Sequence, residues 1–135
     1  MRSNHAIFKR YPVDAQVVVA GEAYPSPYHI YDGSISFIGG TADNVTVRKL
    51  LSEERLTPIV DQNGRALVAV WVCDFTESNL GPHHELQISV FASFRPVPPV
   101  RPHPFAIYRA LTSEAETRMV CHGLWNSTDN VVQYN

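Results

Sequence analysis

WVCDFTESNLGPHHELQISVF, Trp71 to Phe91, is the stretch whose reading decides the fold. Val68, Val70 and Val72 lead into it at every second position, and Leu86, Ile88 and Val90 lead out the same way. That is the period of strands with one face in a core. Asn79, Gly81 and Pro82 break the pattern, so two strands are expected to meet at one polar turn. His83, His84 and Glu85 stand where the second strand begins. Two imidazoles and a carboxylate at a strand entrance are suited to acid–base chemistry, and in a plain hairpin loop they would simply be solvated. Neighbouring strand residues point to opposite faces, so His84 and Glu85 are not expected to look into one cavity together.

Upstream of the hairpin, Asn63-Gly64 favours a tight turn that makes Leu56–Val60 an antiparallel partner of Arg65–Asp74. Before that, DNVTVRKLLSEE, Asp43 to Glu54, predicts a short helix capped by Asp43, with Val47, Leu50 and Leu51 on one face. Ser34 to Ile38 alternates as a strand, ended by Gly39-Gly40. Residues 1–33 carry few regular signals beyond AQVVVA, Ala15 to Ala20, a short strand. The next stretch, EAYPSPYHIYDG, is extended and turn-punctuated, and its Tyr24, Tyr28 and Tyr31 suit packing or a ligand rim.

Downstream, RPVPPVRPHPF carries Pro96, Pro98, Pro99, Pro102 and Pro104, which forbid helix and central strand and predict a stiff loop. Phe105 to Leu111 reads as a strand. Thr112-Ser113 then opens a helix, with Ser113 and Glu116 at capping-box spacing and Met119, Val120, Gly123 and Leu124 continuing it. On that helix Cys121 and His122 diverge, which disfavours a thiol nucleophile there. Val131-Val132 looks like the start of another strand, which a partner or further sequence would have to pair.

With 135 residues and 44% hydrophobic content, the chain suits one domain with a real core. A net charge of −2 without a basic cluster argues against nucleic acid. No apolar run is long enough for a membrane span, and MRSNHAIFKRYP has no signal-peptide core, so a cytoplasmic address is the default expectation. Cys73 and Cys121 form neither a disulfide framework nor a zinc site, and no metal or cofactor is expected.

Three segments carry a family resemblance: TVRKLLSEERLTPI at 46–59, SNLGPHHELQISV at 78–90, and FAIYRALTSEAETRMVCHGLW at 105–125. In type and order of elements the chain resembles the N-terminal part of the acetoacetate decarboxylase-like superfamily, over residues from about 35 to 128. The resemblance implies a β-rich α+β fold, an antiparallel barrel or curved sheet with two short helices around a small-molecule cavity, possibly completed by another chain. It also implies a glutamate in the cavity, which carries over to Glu85. In the family a lysine just past the last helix forms a Schiff base with a keto acid. Here Ser127, Thr128, Asp129 and Asn130 occupy that place, and the chain has only Lys9 and Lys49. Gly39-Gly40 stand about where the family's pocket arginine falls.

The expected chemistry is therefore acid–base catalysis without an amine. Desolvation holds a buried glutamate toward its neutral form, which lets Glu85 exchange a proton near neutral pH. His83 or His84 is its expected partner, and Asp129 stands where the amine stood. Tyr31, Phe37, Trp71, Trp125 and Asn130 are expected to line the substrate cavity. The substrate class is apolar and polyketide- or terpenoid-like, the reactions isomerisation, dehydration or cyclisation. The alternative is a noncatalytic ligand-binding barrel, as a homo-oligomer or as a subunit completed by a second polypeptide.

Overall fold

The computed structural model describes residues 5–101, 108 and 116–134. The expected strand Phe105–Leu111 and the cap at Ser113 lie outside the described residues, apart from Tyr108. The chain is β-rich α+β with antiparallel pairing. Among the described residues the order is α1 (Ala6–Arg10), β1 (Ala15–Val19), β2 (Glu22–Ser26), β3 (Ile30–Ala42), α2 (Asn44–Leu50), β4 (Thr57–Pro58), β5 (Ala66–Ser78), β6 (His83–Ser93), β7 (Thr117–Asn126) and α3 (Asp129–Tyr134). One sheet runs β3-β5-β6-β4 with β7 also on β6, and β1-β2 form a second. No barrel closes among the described residues. No helix there is long and apolar enough to cross a membrane.

The hairpin that decides the fold is present as β5 and β6. Ser78 shapes its turn, donating its hydroxyl to the Gly81 carbonyl at 2.7 Å and accepting the Leu80 N–H at 3.1 Å. Gly81 takes a φ of +90°, which the missing side chain permits. The face buried near the turn is not the one the valines mark. Cys73 and Phe75 are buried, whereas Val72 and Leu86 are exposed.

Two compact units are distinguished. Within the first (Met1–Ser36, Val72–Leu86, Trp125–Asn135), Tyr24, Leu80 and Val131 form a small core with Val19 and Tyr28 against it. The β1–β2 hairpin turns through Ala20 and Gly21, both at positive φ, the conformation that two-residue hairpins favour. The Asn79 side chain accepts the His29 N–H at 2.8 Å, and the Asn79 N–H returns a bond to the His29 carbonyl at 3.1 Å.

Within the second unit (Phe37–Trp71, Gln87–Leu124), α2 is capped as expected. Asp43 Oδ2 accepts from the Thr46 N–H and hydroxyl, each at 2.8 Å. These bonds hold its carboxyl below the usual range. Val47 and Leu51 join Ala66, Val90 and Ala92 in one cluster, and Ile59, Leu67, Ala69 and Phe91 form another. Leu50 is exposed instead of sharing that face. The helix stops at Leu50, short of Glu54. The Ser52 hydroxyl donates to the Lys49 carbonyl, competing with the helical ladder, and the turn ends at Arg55 with φ +54°.

Four other expectations are corrected. β3 runs straight through Gly39-Gly40, neither of which has a positive φ. The strand expected over Leu56–Val60 shrinks to β4, which pairs with β6 as Thr57↔Ser93 and Pro58↔Ala92. Its hairpin with β5 survives as the bridge Val60↔Ala66, around Gly64 at φ +74°. Residues 117–124, expected to be helical, are strand β7. Thr117 and Val120 suit a ladder better than a helix, Gly123 disfavours a helix interior, and pairing with β6 decides it. Cys121 and His122 are therefore strand residues. Finally, Val131 and Val132 lie on α3. Val131 is buried and Val132 is exposed, and the Val132 N–H reaches the Thr128 carbonyl at 3.1 Å.

Candidate functional site

Side-chain alternation at the turn end of the hairpin sends His83 and His84 to opposite destinations. The His83 side chain is wholly buried and its ring packs edge-on against Phe75 at 5.1 Å between centroids. Its Nδ1 lies 2.9 Å from the Gly81 carbonyl. A carbonyl only accepts, so that nitrogen carries the proton. Nε2 then faces Glu85 Oε1 at 3.8 Å, beyond direct hydrogen-bond reach. Glu85 points to this same inner face, its side chain 10% exposed. The nearby Cys73 thiol is pushed up from its ordinary value, first by burial and then by the Glu85 charge.

His84 lies on the other face. Its Nδ1 sits 3.1 Å from Asp74 Oδ1 across the hairpin, with the two side chains 71% and 54% exposed. A carboxylate oxygen can only accept, so the proton of neutral His84 is placed on Nδ1 and the Nε2 lone pair is left for a ligand. Ser127 fixes the strand position of this histidine twice. Its Oγ accepts the His84 N–H at 2.8 Å, and its own N–H donates to the His84 carbonyl at 3.1 Å.

Around this pair an open hollow of about 560 Å³ is lined by Val72, Leu86, Trp125, Asp74, His84 and Ser127, with contributions from Cys73, Glu85 and Asn126. Among the described residues no lysine or arginine contributes to it. His84 and Glu85 both border this hollow, although their side chains belong to opposite faces of the sheet.

The sequence-predicted residues therefore divide. His84 and Trp125 meet at the hollow. Glu85 and His83 meet at the inner face. Asp129 is the exposed first residue of α3, and no contact links it to either histidine. Asn130 follows on the same helix, its side chain outside the described set. Tyr31 packs with Phe8 and His29, at 5.2 and 5.9 Å, and borders a separate hollow of about 290 Å³ with Asp32, Gly33 and Phe75. Phe37 and Trp71 pack edge-on at 4.4 Å between centroids in the second unit, where Trp71 leans on the Ile59 cluster. Neither lines the hollow that Trp125 borders.

Asp74 and Ser127 also border this hollow, and sequence reasoning did not name them as site residues. Nothing local marks Ser127, whose place follows from the pairing of β7 with β6. Among the described residues no group of three or more His, Cys, Asp or Glu is arranged to hold a metal.

Comparison with protein-family models, curated proteins and solved structures finds no match.

Proposed function

We propose that the chain binds an apolar small molecule on the Val72, Leu86 and Trp125 face and moves a proton of that molecule with His84. The observation that carries this reading is the 3.1 Å contact of Asp74 with His84 at an apolar hollow. Asp74 sets the tautomer and Nε2 acts as base. Val72, Leu86 and Trp125, at 46%, 40% and 55% exposure, supply the apolar face that a small ligand would cover.

In the reaction class this suits, Nε2 takes a proton from the carbon next to a carbonyl. The C–H electron pair moves into the new C=C bond and the carbonyl pair moves to oxygen. The Ser127 hydroxyl, which accepts from the His84 N–H, keeps its own proton to donate to that oxygen. Return of the proton from the imidazolium to another carbon completes an isomerisation; its transfer instead to a β-hydroxyl, which leaves as water as the enolate pair re-forms the carbonyl and the C=C bond shifts to the α,β position, completes a dehydration. In this reading the acetoacetate decarboxylase-like resemblance concerns the scaffold, and Glu85 with His83 belongs to the wall beneath the site.

The test is α-proton exchange of 2-tetralone in deuterated buffer, followed by NMR. The expected result is a rate roughly 10²-fold or more above free imidazole at equal concentration, lost in His84→Phe and reduced in Asp74→Asn. A rate no greater than that of free imidazole sinks the catalytic reading.

A second reading, a noncatalytic subunit completed by another copy or another polypeptide, is favoured by β3. Among the described residues this strand ends the sheet order over Ile30–Ala42, and Asp32 is its only charged residue. Edge strands usually carry more protection than that. Native mass spectrometry that returns only monomer of this chain would remove it.

A further inference from the structure

Resting on the small-molecule reading of the His84 hollow, we infer that the site selects uncharged keto–enol or phenol-type ligands, held through their O–H, and rejects carboxylates. Three observations lead there. First, Asp74 takes the Nδ1 side of His84, so the group offered to the ligand is a lone pair on Nε2, and the ligand must bring the hydrogen. Second, among the described residues that line the hollow the formal charges are both negative, Asp74 on the His84 side and Glu85 beneath, and none is a Lys or Arg. An anionic ligand would enter a field of its own sign with nothing to pair it. Third, Trp125 offers an exposed indole beside Val72 and Leu86, a flat apolar platform that suits a planar conjugated ring. An enol fits all three conditions. It is neutral, it is planar, and its hydroxyl hydrogen points where Nε2 accepts.

The separate hollow at Tyr31 and Asp32 and the buried His83–Glu85 pair carry no comparable specification. The first is about half the volume and its carboxylate, Asp32, already accepts from the Thr76 hydroxyl at 2.7 Å, and in the second the His83 side chain is wholly buried while Glu85 only borders the His84 hollow.

The experiment compares three naphthalenes of nearly equal size by calorimetric titration, with the Trp125 indole N–H signal, assigned through Trp125→Phe, as the local reporter. These are 2-naphthol, a stable analogue of the 2-tetralone enol, 2-methoxynaphthalene, which lacks the donor, and 2-naphthoate, which is anionic. The expected result is that 2-naphthol shifts the Trp125 signal and binds about 5- to 10-fold more tightly than the methyl ether, the effect of one hydrogen bond. Naphthoate is expected to bind more weakly than either. In His84→Phe, an exposed position where the ring is kept and the acceptor removed, the preference for naphthol over the ether should fall to about one. Equal binding of naphthol and ether, or naphthoate binding as tightly as naphthol, overturns the selectivity while leaving a binding site in place. Failure of all three to move the Trp125 signal overturns the small-molecule reading itself, and the inference with it.

Discussion

His83 and His84 are adjacent in sequence and share one strand, yet one is sealed against Phe75 and Gly81 while the other stands in solvent against Asp74. The two faces of the hairpin end differ in the same way. Cys73, Phe75, His83 and Glu85 make the inner face, and Val72, Asp74, His84, Leu86 and Trp125 make the outer. Strand alternation alone produces the division, because successive side chains must leave the backbone in opposite directions. The difference teaches that the inner residues hold the strands together, while the outer ones are free to be selected for chemistry.

The widest separation between the faces should appear in stability. Phe75→Ala removes a buried ring that packs on His83, and is expected to destabilise the chain by about 3–5 kcal/mol. Trp125→Ala deletes a larger side chain from the outer face and is expected to change stability by under about 1 kcal/mol, while abolishing naphthol binding. Urea midpoints of the two variants provide the measurement. Similar losses in both would mean that the outer face is part of the core, and the division between the faces would fail.

A smaller effect is expected where β3 meets the inner face. A Cβ on Gly33 would stand 2.6 Å from the Asp74 carbonyl oxygen and 3.0 Å from the Phe75 Cα, both backbone atoms that cannot step aside alone. Gly33→Ala is therefore expected to lower stability by about 1–3 kcal/mol. It should also move the Asp74 backbone, so the His84 ring signals should shift although Gly33 is not in contact with them. Denaturation, together with imidazole NMR, checks both. Lost stability with unchanged His84 signals would show that the two faces are mechanically independent.

How much of this was readable beforehand depends on whether the signal was local. The hairpin, its turn at Asn79–Pro82, the AQVVV strand and the Asp43 cap are written in neighbouring residues, and each was legible. The face of the hairpin was harder to read. Valines at 68, 70 and 72 favour one parity, but near the turn the bulk of Phe75 and the small Cys73 decide for the other. β7 was missed because a capping-box spacing ahead of Met119 and Val120 imitates a helix, and only the available edge of β6 overrides it. The strand expected at Val131 failed for a similar reason, since burying Val131 against Leu80 and Tyr24 needs only one face of a helical turn. At the candidate site, His84 and Trp125 were named from their residue types, and both border one hollow. Their partner Asp74 was not, because its role depends on cross-strand register rather than on any motif.

The smallest effect concerns the two cysteines, and it tests whether the inner face is truly closed. Cys73 is buried and its thiol is raised by desolvation and by Glu85, whereas Cys121 is exposed on β7. Alkylation proceeds through the thiolate, so with iodoacetamide at pH 8 the native chain should gain one adduct quickly, at Cys121, and the second only as the fold opens. The pH dependence has a definite sign. A thiol whose value is raised in the folded state favours folding below the ordinary thiol value near 9. That contribution is lost as pH climbs through the raised value, because the unfolded chain ionises first. Stability should therefore decline slightly above pH 9 in the parent and less in Cys73→Ala, measured by urea denaturation at pH 8 and pH 10. Rapid double labelling of the native chain, with no difference between the two pH profiles, would mean that solvent reaches Cys73. Glu85 and His83 would then have to be counted as accessible chemistry alongside His84, and the site would have two faces instead of one.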